Sequence, residues 1–410
     1  MKSRDIHPKS PIRTLRQNYK AEKLETKFAL GLVAPLVGMK PDFIKRVTKH
    51  QGDQLSLKDV LILLEQDSFS ETFVPRSLIP EFLLKAKLYS QQTRKLPIDK
   101  RHVLARGDAK ELIQLLGEQS VNCIVTSTPY WGMRLYKDSV ETTWADGEVC
   151  AFGHEQTPEG FIRHSVEILF HLKRVLALDG SIWWNLMDTY NTRTQIRESA
   201  AETLRAMRGE DARRWKDYKS RRYSSGHSHL WDGEQCLIPA RVAERASRLG
   251  YLVKSMIYWK KDGSMPETVR TRVTREAETI IHLTLKRTPY FNKNAFKSTP
   301  AMFGGQNHKF ESDKITDIWC LATANGTDGH GAQFPVALPG RCIALSSRKN
   351  DTILDPFVGS GTTSVAAQLL NRRSIGFDVS DYYLKIAKRR LAKSSNQIDQ
   401  QADFLQEALS

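Results

Sequence analysis

The stretch Thr352-Ile353-Leu354-Asp355-Pro356-Phe357-Val358-Gly359-Ser360-Gly361-Thr362-Thr363 decides how the chain is read. A short apolar strand ends on an aspartate, a turn containing Pro and Gly follows, and Ser364-Val365-Ala366-Ala367 opens a helix. Gly359 and Gly361 permit a tight turn and let a ligand approach the backbone closely. The carboxyl end of a strand is also where open α/β sheets bind ligands. Taken alone, a G-x-G serves a structural turn equally well. No lysine follows, which excludes a Walker phosphate loop. About 20 residues further on, a second strand, Ser374-Ile375-Gly376-Phe377-Asp378, ends in an acid placed to accept from the ribose hydroxyls of a nucleoside. Asp378 by itself reads equally as a helix N-cap. The loop and the acid together favour a nucleoside cofactor.

Working outward, short β-rich runs lie at His102–Ala105, Cys123–Thr126, Ser181–Leu186, Leu252–Trp259, Thr279–Leu285, Thr352–Leu354 and Ser374–Phe377. Helical periodicity marks 159–177, 237–249, 335–347, 362–371 and 381–392. In the first of these, Ile162, Val166, Leu169, Leu172 and Leu176 line one face. Alternating strand and helix predicts an α/β fold, a doubly wound sheet of seven strands. The first 100 residues are basic, cut by seven prolines, and carry helical patches at Leu55–Leu64 and Ile79–Leu88. They read as a small helical accessory region, with 101–395 as the main domain and 396–410 as a tail.

Composition narrows the class. The chain has 410 residues, 40% of them hydrophobic, enough for a large core. No apolar run approaches the roughly 18 residues that cross a bilayer, and the N-terminus lacks the apolar core of a signal peptide. Five cysteines at 123, 150, 236, 320 and 342 form no C-x-x-C pair, which disfavours a disulfide framework or a cysteine-based zinc site and fits a reducing cytoplasm. No metal and no membrane partner are expected. The formal net charge of +16 favours a polyanionic partner, usually nucleic acid. Residues 191–223 carry ten Arg or Lys against five Asp or Glu, with Trp215, Tyr218 and Tyr223 interleaved. This stretch reads as a helix from Gln195 to Lys219 and a loop at Ser224–His229. It is either a DNA contact or a solvated surface helix.

A second motif, Thr126-Ser127-Thr128-Pro129-Tyr130-Trp131, follows the apolar strand Val121–Val125. The Ser127 hydroxyl and the Thr128 carbonyl can both accept from an amino group, and Tyr130 can stack on a ring. An ordinary turn with a core tyrosine fits this run as well.

Together the two motifs resemble the amino-group DNA methyltransferases. Asp355–Thr363 looks like that family's D-P-F-x-G-S-G-T-T cofactor loop, and Ser127–Tyr130 like its catalytic S-P-P-Y tetrapeptide. The tetrapeptide comes first, which is similar to the circularly permuted β group. Arg106-Gly107-Asp108 resembles the G-D element. Asp179–Tyr190 resembles the G-S-x-W-x-N strand. Trp259-Lys260-Lys261, Pro266-Glu267 and Glu278-Thr279-Ile280 resemble the W-x-K, P-E and E-x-I block. Asp317-Ile318-Trp319 and His330–Pro335 resemble the D-x-W and H-x-A-x-F-P element. Three positions depart from the pattern: Thr128 replaces the first Pro of the tetrapeptide, Met187 a common Gly, and Asn122 a common acid.

The resemblance implies a permuted, Rossmann-like methyltransferase sheet of seven strands, one of them antiparallel, and S-adenosyl-L-methionine as cofactor. Its cofactor contacts would be Asp108, Phe334, Pro335, Asp355, Phe357, Gly359, Gly361, Thr362 and Asp378. Ser127, Thr128, Pro129 and Tyr130 would be catalytic, acting on a base extruded from the duplex. Ser at the head of the tetrapeptide goes mainly with N4 of cytosine, Asp or Asn with N6 of adenine. A carbon-5 cytosine enzyme would need a Pro-Cys nucleophile, and no cysteine here follows proline. DNA contact is expected from Trp131, from Arg213, Arg214, Lys216, Arg221 and Arg222 of the 191–229 insertion, and from Lys293, Gln306, Asn307 and Lys309 of a target-recognition segment at 290–316. The expected setting is a bacterial cytoplasm, with double-stranded DNA as substrate and a cognate restriction endonuclease as functional partner. A silent DNA-binding protein on the same scaffold is the alternative of another class.

Overall fold

The computed structural model describes residues 19–89, 96–98, 100–133, 138–195, 229–261, 271–321 and 334–407, the last twelve for backbone only, and eight isolated positions between 202 and 222. The Lys216 side chain, most of the expected helix 195–219 and His330–Gln333 lie outside the described residues. At the start of that expected helix the structure differs: Thr194–Gln195 is a short strand paired antiparallel with Arg221–Arg222.

The core of the fold is one sheet. In chain order its strands are β1 (His102–Arg106), β2 (Val121–Ser127), β3 (Leu176–Leu186), β4 (Leu252–Lys261), β5 (Ala277–Thr284), β6 (Ile318–Leu321), β7 (Thr352–Asp355) and β8 (Arg373–Asp378). They lie side by side as β6-β4-β5-β3-β2-β7-β8-β1. Only β5 runs against its neighbours. Seven of these are the expected strands. The eighth, β6, corrects the count. Its four residues are too few to show alternation, and it gains its ladder only by adding to the edge of β4, Trp259 opposite Trp319.

Alternation along the strands divides the apolar residues between two faces. Ile124 of β2 and Trp184 of β3 join one core, with the helices Pro158–Val175 and Ile238–Arg248. Cys123, Val125 and Trp183 join the other, with Ala337–Ser346 and Thr362–Leu369. The sheet is therefore covered on both sides, which its apolar central strands require. Asn122, one of the sequence departures, is structural: its Oδ1 accepts from the Thr352 amide at 3.0 Å and ties β2 to β7.

Residues 19–89 contribute four longer helices and a short strand pair with Phe28 opposite Leu55. They are not a detached unit. Phe73 and Phe82 pack on Phe170 of the Pro158–Val175 helix, with centroids 5.0 and 6.1 Å away, and Arg245 donates to the Thr72 carbonyl at 2.9 Å. At the other end, the helix expected over 381–392 runs from Asp381 to Glu407, through most of the expected tail. No Gly or Pro interrupts this span, so nothing local stops the helix. Among the described residues no helix is long and apolar enough to cross a membrane.

The strand order positions the site. β2 and β7 are parallel neighbours, with Ile353 opposite Cys123 and Leu354 opposite Ile124. From β2 the sheet continues through β3, and from β7 it continues the other way through β8. Loops leaving adjacent strands toward opposite sides open a crevice at the carboxyl edge. The tetrapeptide follows β2 and the glycine loop follows β7, so both line the same crevice.

Candidate active site

That crevice is a cavity of about 330 Å³. One side is formed by Ser127, Thr128, Pro129 and Tyr130. The other is formed by Pro356, Phe357, Val358, Gly359, Ser360 and Thr362. Asp108, Asp378 and Phe334 close it. The residues singled out from two stretches more than 200 positions apart thus share one cleft.

The glycine loop is held from behind. Asp355 is fully buried, and its carboxylate accepts from Thr126 Oγ1 (2.7 Å), Thr363 Oγ1 (2.7 Å) and the Phe357 amide (3.0 Å). Burial pushes its pKa up to about 6. Asp355 is therefore an anchor for the loop and is not among the residues that line the cavity. Gly361 is also not among the lining residues, though its neighbours Ser360 and Thr362 are. Its φ of 85° and a would-be Cβ 2.7 Å from the Ala387 Cβ demand glycine for close packing on the Asp381–Glu407 helix. Pro335 does not line the cavity either, whereas Phe334 does.

Asp378 ends β8 and lines the cleft. It accepts from the Gly359 amide (3.0 Å) and the Ser380 amide (2.8 Å), and burial raises its pKa to about 6. A carboxylate has about four acceptor positions, so these backbone bonds leave room to accept from a ribose hydroxyl. Asp108 is similar: it accepts from the Lys110 amide and from Thr142 Oγ1 while facing the cavity. Also lining the cavity, Phe357 stacks on Phe152 with centroids 5.2 Å apart and planes at 14°. Phe152 carried no sequence signal. A cleft lined by two acids on adjacent strand ends and by aromatic rings fits an adenosine-bearing cofactor.

On the facing side, Ser127 Oγ and the Tyr130 hydroxyl lie 3.2 Å apart. Asn185 of β3 donates to both, at 3.2 and 2.9 Å. Tyr130 donates to Glu278 of β5, which also receives Asn185 Nδ2 (2.6 Å) and an ion pair from Lys261. Thr128 is 3% exposed, and its Oγ1 is buried with no hydrogen-bond partner. The loop beyond is pinned by Trp131, 2% exposed, whose indole donates to the Glu155 carbonyl at 2.9 Å. Trp131 is core, which corrects its expected DNA contact.

The expected recognition segment is partly corrected. Gln306 is buried and donates to Asp313 Oδ1 at 3.2 Å, and Asn307 holds the turn to Lys309 and Cys320. Their amides are used inside the protein and do not present free edges. The organiser is Arg341, which the sequence reading missed. Buried at 1% exposure, it pairs with Glu311 at 2.6 and 2.8 Å and donates to the Gly304 and Gly305 carbonyls. Lys293, Lys309, Arg213 and Arg214 are exposed, and Arg213 pairs with Glu202 at 3.1 Å. Of Arg221 and Arg222 only the backbone pairing is described.

A nucleoside cleft opposite a set of amine acceptors defines a group-transferring enzyme of the nucleoside-cofactor type. The chain belongs to the DNA methylase family, whose model matches residues 121–389 and whose methyl donor is S-adenosyl-L-methionine. It is 29% identical to the type II methyltransferase M.SmaI of Serratia marcescens over 70% of this chain and 89% of that one. It is 31% identical to the type II methyltransferase M.Cfr9I of Citrobacter freundii over 70% of this chain and 87% of that one. Among solved structures, the PvuII DNA methyltransferase (cytosine-N4-specific) aligns with a TM-score of 0.49 at 15% identity, over 74% of this chain and 94% of that one.

Proposed function

We propose that the chain methylates the exocyclic N4 of cytosine at one specific sequence in double-stranded DNA, shielding that sequence from a cognate restriction endonuclease. The observation that carries the reading is the shared cleft: Ser127–Tyr130 and the Phe357–Thr362 loop face each other across one cavity. Asp108, Asp378, Phe357 and Phe334 would hold the donor, which when bound supplies an electrophilic methyl group on a sulfonium. Asp355 and Gly361 keep the loop in shape behind it.

The protein's own part is to orient the amine and free its lone pair. An exocyclic amine is a weak nucleophile because its lone pair is delocalised into the ring. Hydrogen bonds accepted by Ser127 Oγ and the Thr128 carbonyl hold the nitrogen toward tetrahedral geometry and in line with the methyl group. Such positioning supplies much of the rate enhancement. Tyr130, its hydroxyl tied to Glu278 and Asn185, presents its ring in the cavity wall for an extruded base. The cytosine assignment rests on Ser127 at the head of the tetrapeptide, and the protective role on the type II relatives. The test is nucleoside mass spectrometry of DNA from cells expressing the chain. N4-methylcytosine at one sequence is expected. N6-methyladenine would overturn the base assignment, and no modified base would overturn the activity.

A further inference from the structure

Glu278 has no part in the chemistry described so far, yet the site is built around it. It is 5% exposed and lies on β5, the single reversed strand. Three donors converge on its carboxylate: the Tyr130 hydroxyl and Asn185 Nδ2 on Oε2, and the Lys261 ammonium on Oε1. A carboxylate withdrawn from water needs such matching, and a pair of apolar side chains would fill a core position at lower cost. The three partners come from three separate elements, and Ser127, Tyr130, Lys261 and Glu278 all border the cavity. The hydrogen bonds also share one direction. Ser127 can donate to the Tyr130 oxygen at 3.2 Å, and Tyr130 donates to Glu278.

We propose that Glu278 is the positioning residue of the transfer site and the final acceptor of the proton that the amine sheds. The proposal rests on the methyltransferase reading above. Transfer forms an N–C bond and breaks the donor's C–S bond, whose electron pair stays on sulfur and leaves a neutral thioether. The nitrogen is left cationic, with one proton too many. That proton passes to Ser127 Oγ as the serine's own proton moves to the Tyr130 oxygen and the tyrosine's own proton moves to Glu278. Both hydroxyls end neutral and Glu278 ends as a carboxylic acid, which gives its proton to water once the product leaves. Lys261 and Asn185 hold the carboxylate so that Oε2 faces the tyrosine.

The experiment uses the full chain, tritiated S-adenosylmethionine and a duplex carrying the modified sequence, under single-turnover conditions from pH 6 to 9. Glu278→Gln is expected to slow transfer about 100-fold at pH 7, a size typical of positioned proton transfer. Cofactor and DNA affinities should stay within threefold of wild type. The deficit should shrink as pH rises, because hydroxide takes over the proton. Glu278→Asp should recover part of the rate, and Tyr130→Phe combined with Glu278→Gln should be no slower than the slower single variant. A Glu278→Gln rate within threefold of wild type at every pH overturns the proposal. So does a loss confined to cofactor or DNA affinity, which would make Glu278 a purely structural support. If the wild-type chain labels no duplex at all, the functional reading fails instead.

Discussion

Replacing Ser127 by Ala removes a single oxygen from the cleft, and the structure separates its effect on stability from its effect on rate. In the folded chain Ser127 Oγ makes two long hydrogen bonds, 3.2 Å to the Tyr130 hydroxyl and 3.2 Å to Asn185 Nδ2. Neither partner is stranded by the change. Asn185 keeps Tyr130 at 2.9 Å and Glu278 at 2.6 Å, and Tyr130 keeps Glu278. The stability cost is therefore about 1 kcal/mol or less, the net worth of one weak hydrogen bond. The rate is another matter. As the amine attacks, its N–H groups become more acidic, and an acceptor already fixed in place gains strength there. Losing one such group costs about 2.7–4 kcal/mol, or about 100- to 1000-fold in kcat. Single-turnover transfer of labelled methyl to duplex DNA reads the rate, and a thermal melt reads the stability. A Ser127→Ala enzyme within fivefold of wild-type kcat, with an unchanged melt, would show that the serine is not the amine's acceptor.

Three further expectations follow from particular residues. Thr128→Val removes a buried, unpartnered hydroxyl and keeps the backbone carbonyl, so stability should rise by about 1 kcal/mol with kcat within threefold; a fall beyond 30-fold would show that the hydroxyl itself touches substrate. For Asp355, the folded pKa of about 6 lies above the usual carboxylate value of 3.8, so its stabilising contribution is full below about pH 4 and is lost as pH rises through 6. Denaturant unfolding of wild type against Asp355→Asn should therefore show wild type losing up to about 3 kcal/mol relative to the variant between pH 4 and 7, at 1.36 kcal/mol per pKa unit, and a pH-independent difference would contradict the role given to burial. Exposed Lys40 and Lys49 cap the Pro41–Thr48 helix and exposed Arg46 lies in its last turn; if the N-terminal region meets DNA phosphates, changing all three to Gln should flatten the slope of log affinity against log salt by about 2–3, roughly 0.9 for each phosphate no longer neutralised, and an unchanged slope would place the DNA elsewhere.

Much of the fold was legible because the signals are local. β7, its glycine turn and the helix behind it follow from a short apolar run, Gly359, Gly361 and an alanine-rich start, and the structure places each there. The shared cleft was legible only through the order of two motifs, since no local pattern says that β2 and β7 are neighbours. What escaped the sequence reading is tertiary. Ile318–Leu321 becomes a strand only because β4 offers an edge. Gln306 looks like a base reader in a Gly-Gly-Gln-Asn run, but Arg341, 35 residues away, folds that run inward by taking the Gly304 and Gly305 carbonyls. Asp355 heads the loop in the sequence, but that Thr126 and Thr363 hold its buried carboxylate depends on how β2 and β7 lie together. Glu278 was visible as part of a short motif, but its meeting with Tyr130 depends on how β5 lies beside β3.

The most direct measurement is a crystal structure of the chain with a demethylated cofactor analogue and a duplex containing the modified sequence. One extruded cytosine is expected against Tyr130, its amine within about 3.2 Å of Ser127 Oγ and the Thr128 carbonyl, with the adenosine between Phe357 and Asp378. An analogue bound elsewhere, or a target base that stays stacked in the duplex and out of reach of Ser127, would contradict the shared transfer cleft.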